Sequence, residues 1–125
     1  MLLEDSSSVH DNTGIGIWSL DSSTTLLGSS SVRGNTEEGI FNDGGTLTLT
    51  GTSSVSENTS ENEGAGIVND DVIILKDSAS VFGNATTSTG GGVYNDGGSV
   101  SPCDGTSIDE WIGTVEPNDP NRLPR

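Results

Sequence analysis

The residues best suited to catalysis are a histidine, an arginine and two carboxylates near the amino-terminal end. His10 and Arg33 occupy equivalent positions of a repeat, with Asp11 beside His10 and Glu57 further along the chain. Two carboxylates about 5–10 Å apart on one face can cleave a glycosidic bond. These four residues therefore predict a polysaccharide lyase or hydrolase as the alternative function. The favoured interpretation is that the protein is not an enzyme, because an acidic surface also produces such clusters by chance.

Two acidic, glycine-rich segments have a composition that suggests calcium binding, namely Asn42-Asp43-Gly44-Gly45 and Asn95-Asp96-Gly97-Gly98. Calcium-binding β-roll sites need a nonapeptide in tandem, whereas these segments occur once per repeat. We therefore predict no metal site and no cofactor. Asparagine at such corners more often forms a ladder of hydrogen-bonded amides, and the predicted members of this ladder are Asn42, Asn69 and Asn95.

A more informative set of residues for binding is an apolar column, formed by Trp18, Phe41, Val68 and Tyr94. Each follows an inward-facing apolar residue by one position, so alternation along a strand places it outside. An apolar stripe of this kind suggests a protein partner, a glycan or a second copy of the chain. The alternatives are cover by the carboxyl-terminal segment through Trp111 and Ile112, or no role. We expect Trp18 and Phe41 to remain available to a partner.

Hydroxyl side chains support only minor hypotheses. Thr46, Thr48 and Thr50 form a Thr-x-Thr array like those that bind ice on flat solenoids, but only one repeat has it. Asn58 and Asn84 begin N-glycosylation patterns. Because both are repeat positions, that match is interpreted as coincidental.

A repeat supplies the elements that position these residues. Four valines are each followed three positions later by an asparagine, and each is preceded by a leucine and followed by a glycine-led apolar residue. The predicted inward columns are Leu3-Leu26-Leu49-Leu75, Val9-Val32-Val55-Val81 and Ile17-Ile40-Ile67-Val93, with Ser7-Ser30-Ser53-Ala79 beside them. Three short alternating runs per repeat, separated by turn residues, predict three strands in each coil of a parallel β-helix.

The runs VSENTSENEGAGIVND and VFGNATTSTGGGVYNDGG resemble the repeats of polymorphic outer-membrane proteins and related bacterial or archaeal surface β-helices. The resemblance covers roughly residues 1–100 and implies a right-handed parallel β-helix of extracellular or cell-surface type. The chain departs from that pattern where Glu38-Gly39 replaces a glycine pair. No functional residue carries over, since such repeats specify a fold and not an activity.

Composition limits the possible partners. The chain of 125 residues carries 19 Asp and Glu against 4 Lys and Arg, a formal net charge of -15. So few basic residues exclude nucleic-acid binding and attraction to an anionic membrane. We predict no membrane insertion, because the apolar runs are short. No signal peptide is visible and the single cysteine forms no disulfide framework. The acidity suits either a halophilic environment or ordinary solubilisation of a surface repeat.

These observations predict an all-β chain with two parts. Residues 1–101 form a parallel β-helix of about four coils, and residues 102–125 form an irregular carboxyl-terminal cap and tail. The cap is placed there because Pro102 occupies a leucine position of the repeat and cannot donate to a strand ladder. The predicted function is a structural or surface interaction scaffold for a protein or glycan partner, with possible homo-oligomerisation.

Overall fold

The computed structural model describes residues 1–88, 91–102, 105–108 and 111–113. The described residues contain no helix, and therefore none long and apolar enough to cross a membrane. The strands, in chain order, are β1 (Leu2–Leu3), β2 (Ser8–His10), β3 (Ile17–Leu20), β4 (Thr24–Leu26), β5 (Ser31–Arg33), β6 (Ile40–Asp43), β7 (Thr46–Leu49), β8 (Ser54–Ser56), β9 (Thr59–Ser60), β10 (Ile67–Asn69), β11 (Val72–Leu75), β12 (Ser80–Phe82), β13 (Ala85–Thr86), β14 (Val93–Asn95), β15 (Ser99–Pro102), β16 (Ser107–Ile108) and β17 (Trp111–Gly113).

Three five-stranded parallel sheets run along the molecule. The first has the order β1-β4-β7-β11-β15, the second β2-β5-β8-β12-β16 and the third β3-β6-β10-β14-β17. Each turn of the chain adds one strand to each sheet, so the chain winds through about four turns of a β-solenoid. The prediction of an all-β parallel solenoid is confirmed.

The core consists of identical or similar side chains stacked on one another. The strand pairing aligns Leu26 with Leu49 and Val32 with Val55, and all four side chains are fully buried. The isoleucine column is aligned in the same way, from Ile17 through to Val93. Because adjacent parallel strands lie about 4.8 Å apart, each buried side chain packs against its counterparts above and below. A thin interior therefore needs few large apolar residues per coil.

The turn between the first and second sheets explains one recurrent pair of residue types. Gly28 and Gly51 have φ of 69° and 68°, and Asp5 and Asp77 occupy the same column with φ of 58°. Only glycine adopts this left-handed conformation freely, and aspartate tolerates it better than most residues. A Cβ on Gly51 would lie 2.8 Å from the carbonyl oxygen of Gly28, so close stacking of the coils reinforces the choice of glycine.

Two segments outside the regular repeat add strands. The length of the repeat varies between the valine-asparagine pair and the glycines, a pattern that predicts a loop. In the structure this segment contains β9 and β13, which pair with each other in parallel. Beyond residue 102, β16 pairs with β12 and β17 pairs with β14. The backbone of Ile112 is thereby in register with Tyr94, so this segment extends the third sheet. The remainder of the predicted tail, residues 114–125, lies outside the described residues.

Candidate functional site

The apolar column predicted from the sequence is present on the outer face of the third sheet. The strand pairing aligns Trp18 with Phe41, Phe41 with Val68 and Val68 with Tyr94. We call these four residues the aromatic stripe. Trp18 is 62% exposed, whereas the other three side chains are half-buried.

Trp18 and Phe41 form a rigid aromatic platform at the amino-terminal end of the stripe. Their ring centroids are 5.6 Å apart and their planes differ by 7°, so the rings are stacked. The indole Nε1–H of Trp18 donates to Oδ2 of Asp43 at 3.4 Å, which links the edge of the ring to the neighbouring coil. Phe41 covers one face of the indole, and most of the remaining Trp18 surface is open to solvent.

The other end of the stripe is covered by the chain itself. Gly64, in the loop after β9, packs so closely against the stripe that a Cβ there would lie 2.7 Å from Cγ2 of Val68 and 3.0 Å from Cβ of Tyr94. The carboxyl-terminal segment that includes Trp111 and Ile112 was the alternative source of cover, and its backbone lies beside Tyr94 as the next strand of the sheet. Trp18 is consequently the most accessible residue of the stripe.

A column of carboxylates runs beside the aromatic stripe on the same face of the sheet. Asp43, Asp70 and Asp96 each stand two positions after a stripe residue, and we call them the carboxylate column. Lost hydration raises the pKa of Asp70, and the negative charges of Asp96, Asp43 and Asp71, with a hydrogen bond to Asp43, raise it further. These carboxylates therefore repel one another at neutral pH.

The four candidate catalytic residues lie on the exposed surface around the end of the second sheet. His10 and Arg33 are in register on β2 and β5, and His10 Nδ1 lies 2.7 Å from Oδ2 of Asp11. That hydrogen bond lowers the pKa of the Asp11 carboxyl. Asp11 and Glu57 share one turn position two coils apart, roughly 10 Å at the usual strand spacing. Both have positive φ, 57° and 56°, so the turn accounts for their backbone conformation.

An open groove lies elsewhere, beside the β9–β13 pair. It has a volume of about 320 Å³ and is lined mainly by Thr36, Thr59, Ser60 and Thr86 with Glu61. None of the four candidate catalytic residues lines it. Among the described residues, no group of three or more His, Cys, Asp or Glu side chains is arranged to hold a metal ion.

The predicted asparagine ladder is present at the end of the third sheet. Asn42 Nδ2 donates to Oδ1 of Asn69 at 2.9 Å, and Asn69 Nδ2 donates to Oδ1 of Asn95 at 2.8 Å. Asn42 and Asn69 are fully buried, and their amides also donate to backbone carbonyls such as Val72 O and Ser99 O. The ladder thus provides donors for the backbone carbonyls of the first residues of β11 and β15.

A second ladder was not predicted, although its residues recur visibly in the repeat. Its members follow the strands of the second sheet and are Asn12, Asn35, Asn58 and Asn84; Nδ2 of each of the first three donates to Oδ1 of the next at 2.8–2.9 Å. The backbone N–H of each of the first three donates to the same oxygen. The sequence signal was the valine-x-x-asparagine spacing, which had been interpreted only as a marker of the repeat.

The second ladder also explains why glycines precede β6 and β10, two strands of the third sheet. A Cβ on Gly39 would lie 2.6 Å from Nδ2 of Asn58 and 2.8 Å from the carbonyl oxygen of Gly66. A Cβ on Gly66 would meet Asn84 Nδ2 at 2.8 Å in the same way. The buried amides occupy the space of a side chain, so a residue larger than glycine does not fit here.

The first ladder stops at Ser19, and this gives a testable prediction. Oδ1 of Asn42 is buried without a partner, and Ser19 stands in the position below it. Ser19→Asn should place an amide donor there and stabilise the protein by roughly 1 kcal/mol in urea unfolding. Ser19→Ala serves as the control, because it removes the hydroxyl that Thr24 contacts at 3.0 Å without adding a donor. An asparagine variant no more stable than the alanine variant would contradict the prediction.

Comparison with known proteins adds no relative. No protein-family model, no curated protein and no solved structure matches the chain. The resemblance to outer-membrane protein repeats therefore stays a prediction.

Proposed function

We propose that the protein is a non-enzymatic β-solenoid scaffold that contacts a protein or glycan partner through its aromatic stripe. The observation that carries the proposal is the platform of Trp18 stacked on Phe41, held on a parallel sheet with the indole 62% exposed. A partner that buries this ring gains the free energy of removing its apolar surface from water. A rigid ring also loses little conformational entropy when a partner binds it.

The rest of the molecule supports a structural role. The stacked leucine, valine and isoleucine columns and the two asparagine ladders hold the stripe in a fixed geometry. The four candidate catalytic residues lie at exposed strand ends and turns, and none of them lines the groove beside β9 and β13. They are His10, Arg33, Asp11 and Glu57. A catalytic constellation needs side chains that converge on a cleft, so this arrangement favours a scaffold over a lyase or hydrolase.

The proposal predicts that Trp18→Ser combined with Phe41→Ser abolishes association while leaving the solenoid folded. The measurements are sedimentation velocity over a range of protein concentrations and binding to an oligosaccharide array, with circular dichroism to check folding. Phe82→Ser is the matched control, because Phe82 is 43% exposed but lies on the second sheet. It should leave every association unchanged.

Two results would contradict the proposal. One is association that survives in the double variant or is lost equally in Phe82→Ser. The other is cleavage of a polysaccharide that disappears in His10→Ala, which would favour the enzymatic alternative.

A further inference from the structure

Two columns of different chemistry run in parallel on the outer face of the third sheet. The aromatic stripe begins with Trp18 and Phe41, and the carboxylate column begins with Asp43. The two columns repeat together from coil to coil, at about 4.8 Å along the axis. Their junction is the hydrogen bond from Trp18 Nε1 to Asp43 Oδ2. A ligand that lies on the Trp18 ring is therefore within reach of a carboxylate.

We infer that the partner of this face is an arginine-bearing protein segment, whose guanidinium groups stack on Trp18 and pair with Asp43 and Asp70. This inference rests on the proposed function and specifies the chemistry of its partner. A guanidinium is planar, stacks on aromatic rings and donates in a fork that matches a carboxylate. Those are the two surfaces that the face presents side by side.

Charge complementarity favours a cationic partner over a second copy or a neutral glycan. The chain carries a net charge of -15, so two copies repel each other when their acidic faces approach. Within the carboxylate column, lost hydration together with the neighbouring Asp96 and Asp43 charges raises the pKa of Asp70. A guanidinium placed between these carboxylates relieves their repulsion, whereas a neutral sugar ring does not.

The test titrates the 125-residue chain with a fluorescently labelled, unstructured arginine-rich peptide, using anisotropy. A second peptide has lysine in place of every arginine, and a neutral oligosaccharide series provides the third probe. We expect the arginine peptide to bind about 5-fold more tightly than the lysine peptide, because stacking of a guanidinium on an exposed ring contributes about 1 kcal/mol. Binding should weaken as salt is added.

Two pairs of variants distinguish the contribution of this face to peptide affinity from the contribution of the overall negative charge. Asp43→Asn with Asp70→Asn should weaken binding of the arginine peptide at least about 10-fold. Glu4→Gln with Glu57→Gln removes the same number of charges from exposed positions that follow the first and second sheets, and should have a much smaller effect. Trp18→Ser should reduce the preference for the arginine peptide over the lysine peptide, because the contribution of stacking is lost.

The outcomes distinguish this inference from the function on which it rests. The inference would be overturned if the two peptides bound the wild-type protein equally, or if both pairs of charge variants lost the same amount of affinity. Either result would mean that the peptides are held by non-specific electrostatic attraction. Binding of the oligosaccharide that depends on Trp18, without binding of the arginine peptide, would overturn it and leave the scaffold function standing. If no probe and no second copy binds through Trp18, the inference and the proposed function both fail.

Discussion

Replacement of Val55 by Asp should unfold the solenoid, with a loss of more than about 4 kcal/mol of folding free energy. Val55 is fully buried in the second sheet and lies between Val32 and Val81 in adjacent coils. A carboxylate there would be enclosed by apolar side chains without a cationic partner. Circular dichroism and urea unfolding at neutral pH measure the effect.

The neighbouring residue provides the control. Ser54→Asp places the same charge one position earlier on the outward-facing side of β8, where the side chain is only half-buried. Its effect should remain below about 1 kcal/mol. Equal tolerance at both positions would mean that the strand register is wrong by one residue, because such a shift exchanges the inner and outer faces.

Asn58→Ala should destabilise the protein by roughly 3 kcal/mol or more, since each buried polar group left without a partner costs about 1–3 kcal/mol. Oδ1 of Asn58 accepts from the backbone N–H and from Nδ2 of Asn35, and its own Nδ2 donates to Asn84 and to Val32 O. Removal of one amide therefore leaves several buried groups unsatisfied on both neighbouring coils. The shift of the urea midpoint measures the loss.

Asn62→Ala is the matched control, because Asn62 is an exposed asparagine four residues away. It should change the midpoint very little. If the two alanine variants were equally stable, the interior ladder would contribute nothing beyond filling space.

The core was predictable because it depends on one period. Leu49, Val55 and Ile67 recur with the same spacing as their counterparts in other coils, and stacking of parallel strands requires equivalent residues to coincide. The identity of the residues in each inward column thus follows from alignment of the repeats. The same argument placed Trp18 and Phe41 on the outer face, where the structure has them.

Other features depend on distances that a repeat does not encode. Asn42 and Asn58 both recur once per repeat, but recurrence alone does not show whether an asparagine side chain points into the interior. The structure shows that both are buried in ladders. The pairing of β9 with β13 arises between two insertions of similar length whose sequences differ. Cover of Val68 by Gly64 is a contact between a loop and a sheet face, which hydrophobic periodicity does not reveal.

The candidate catalytic set shows the limit of reasoning from residue types. His10 and Arg33 were correctly aligned as neighbours in adjacent coils, and the structure places them in register. Alignment, however, determines only position along a strand. Whether side chains converge on a cleft depends on the curvature of the surface, and here Asp11 and Glu57 take turn positions with left-handed backbone.

Both asparagine ladders run in one direction, which gives the solenoid an electrical polarity. In each ladder, Nδ2 of one coil donates to Oδ1 of the following coil, as between Asn35 and Asn58 and between Asn42 and Asn69. The side-chain amide dipoles therefore add head to tail along the axis, while sheet backbone contributes little net dipole. The two ends differ: Oδ1 of Asn42, at the amino-terminal end of the first ladder, has no donor, whereas Nδ2 of Asn84, at the other end of the second ladder, donates to Val55 O and Phe82 O.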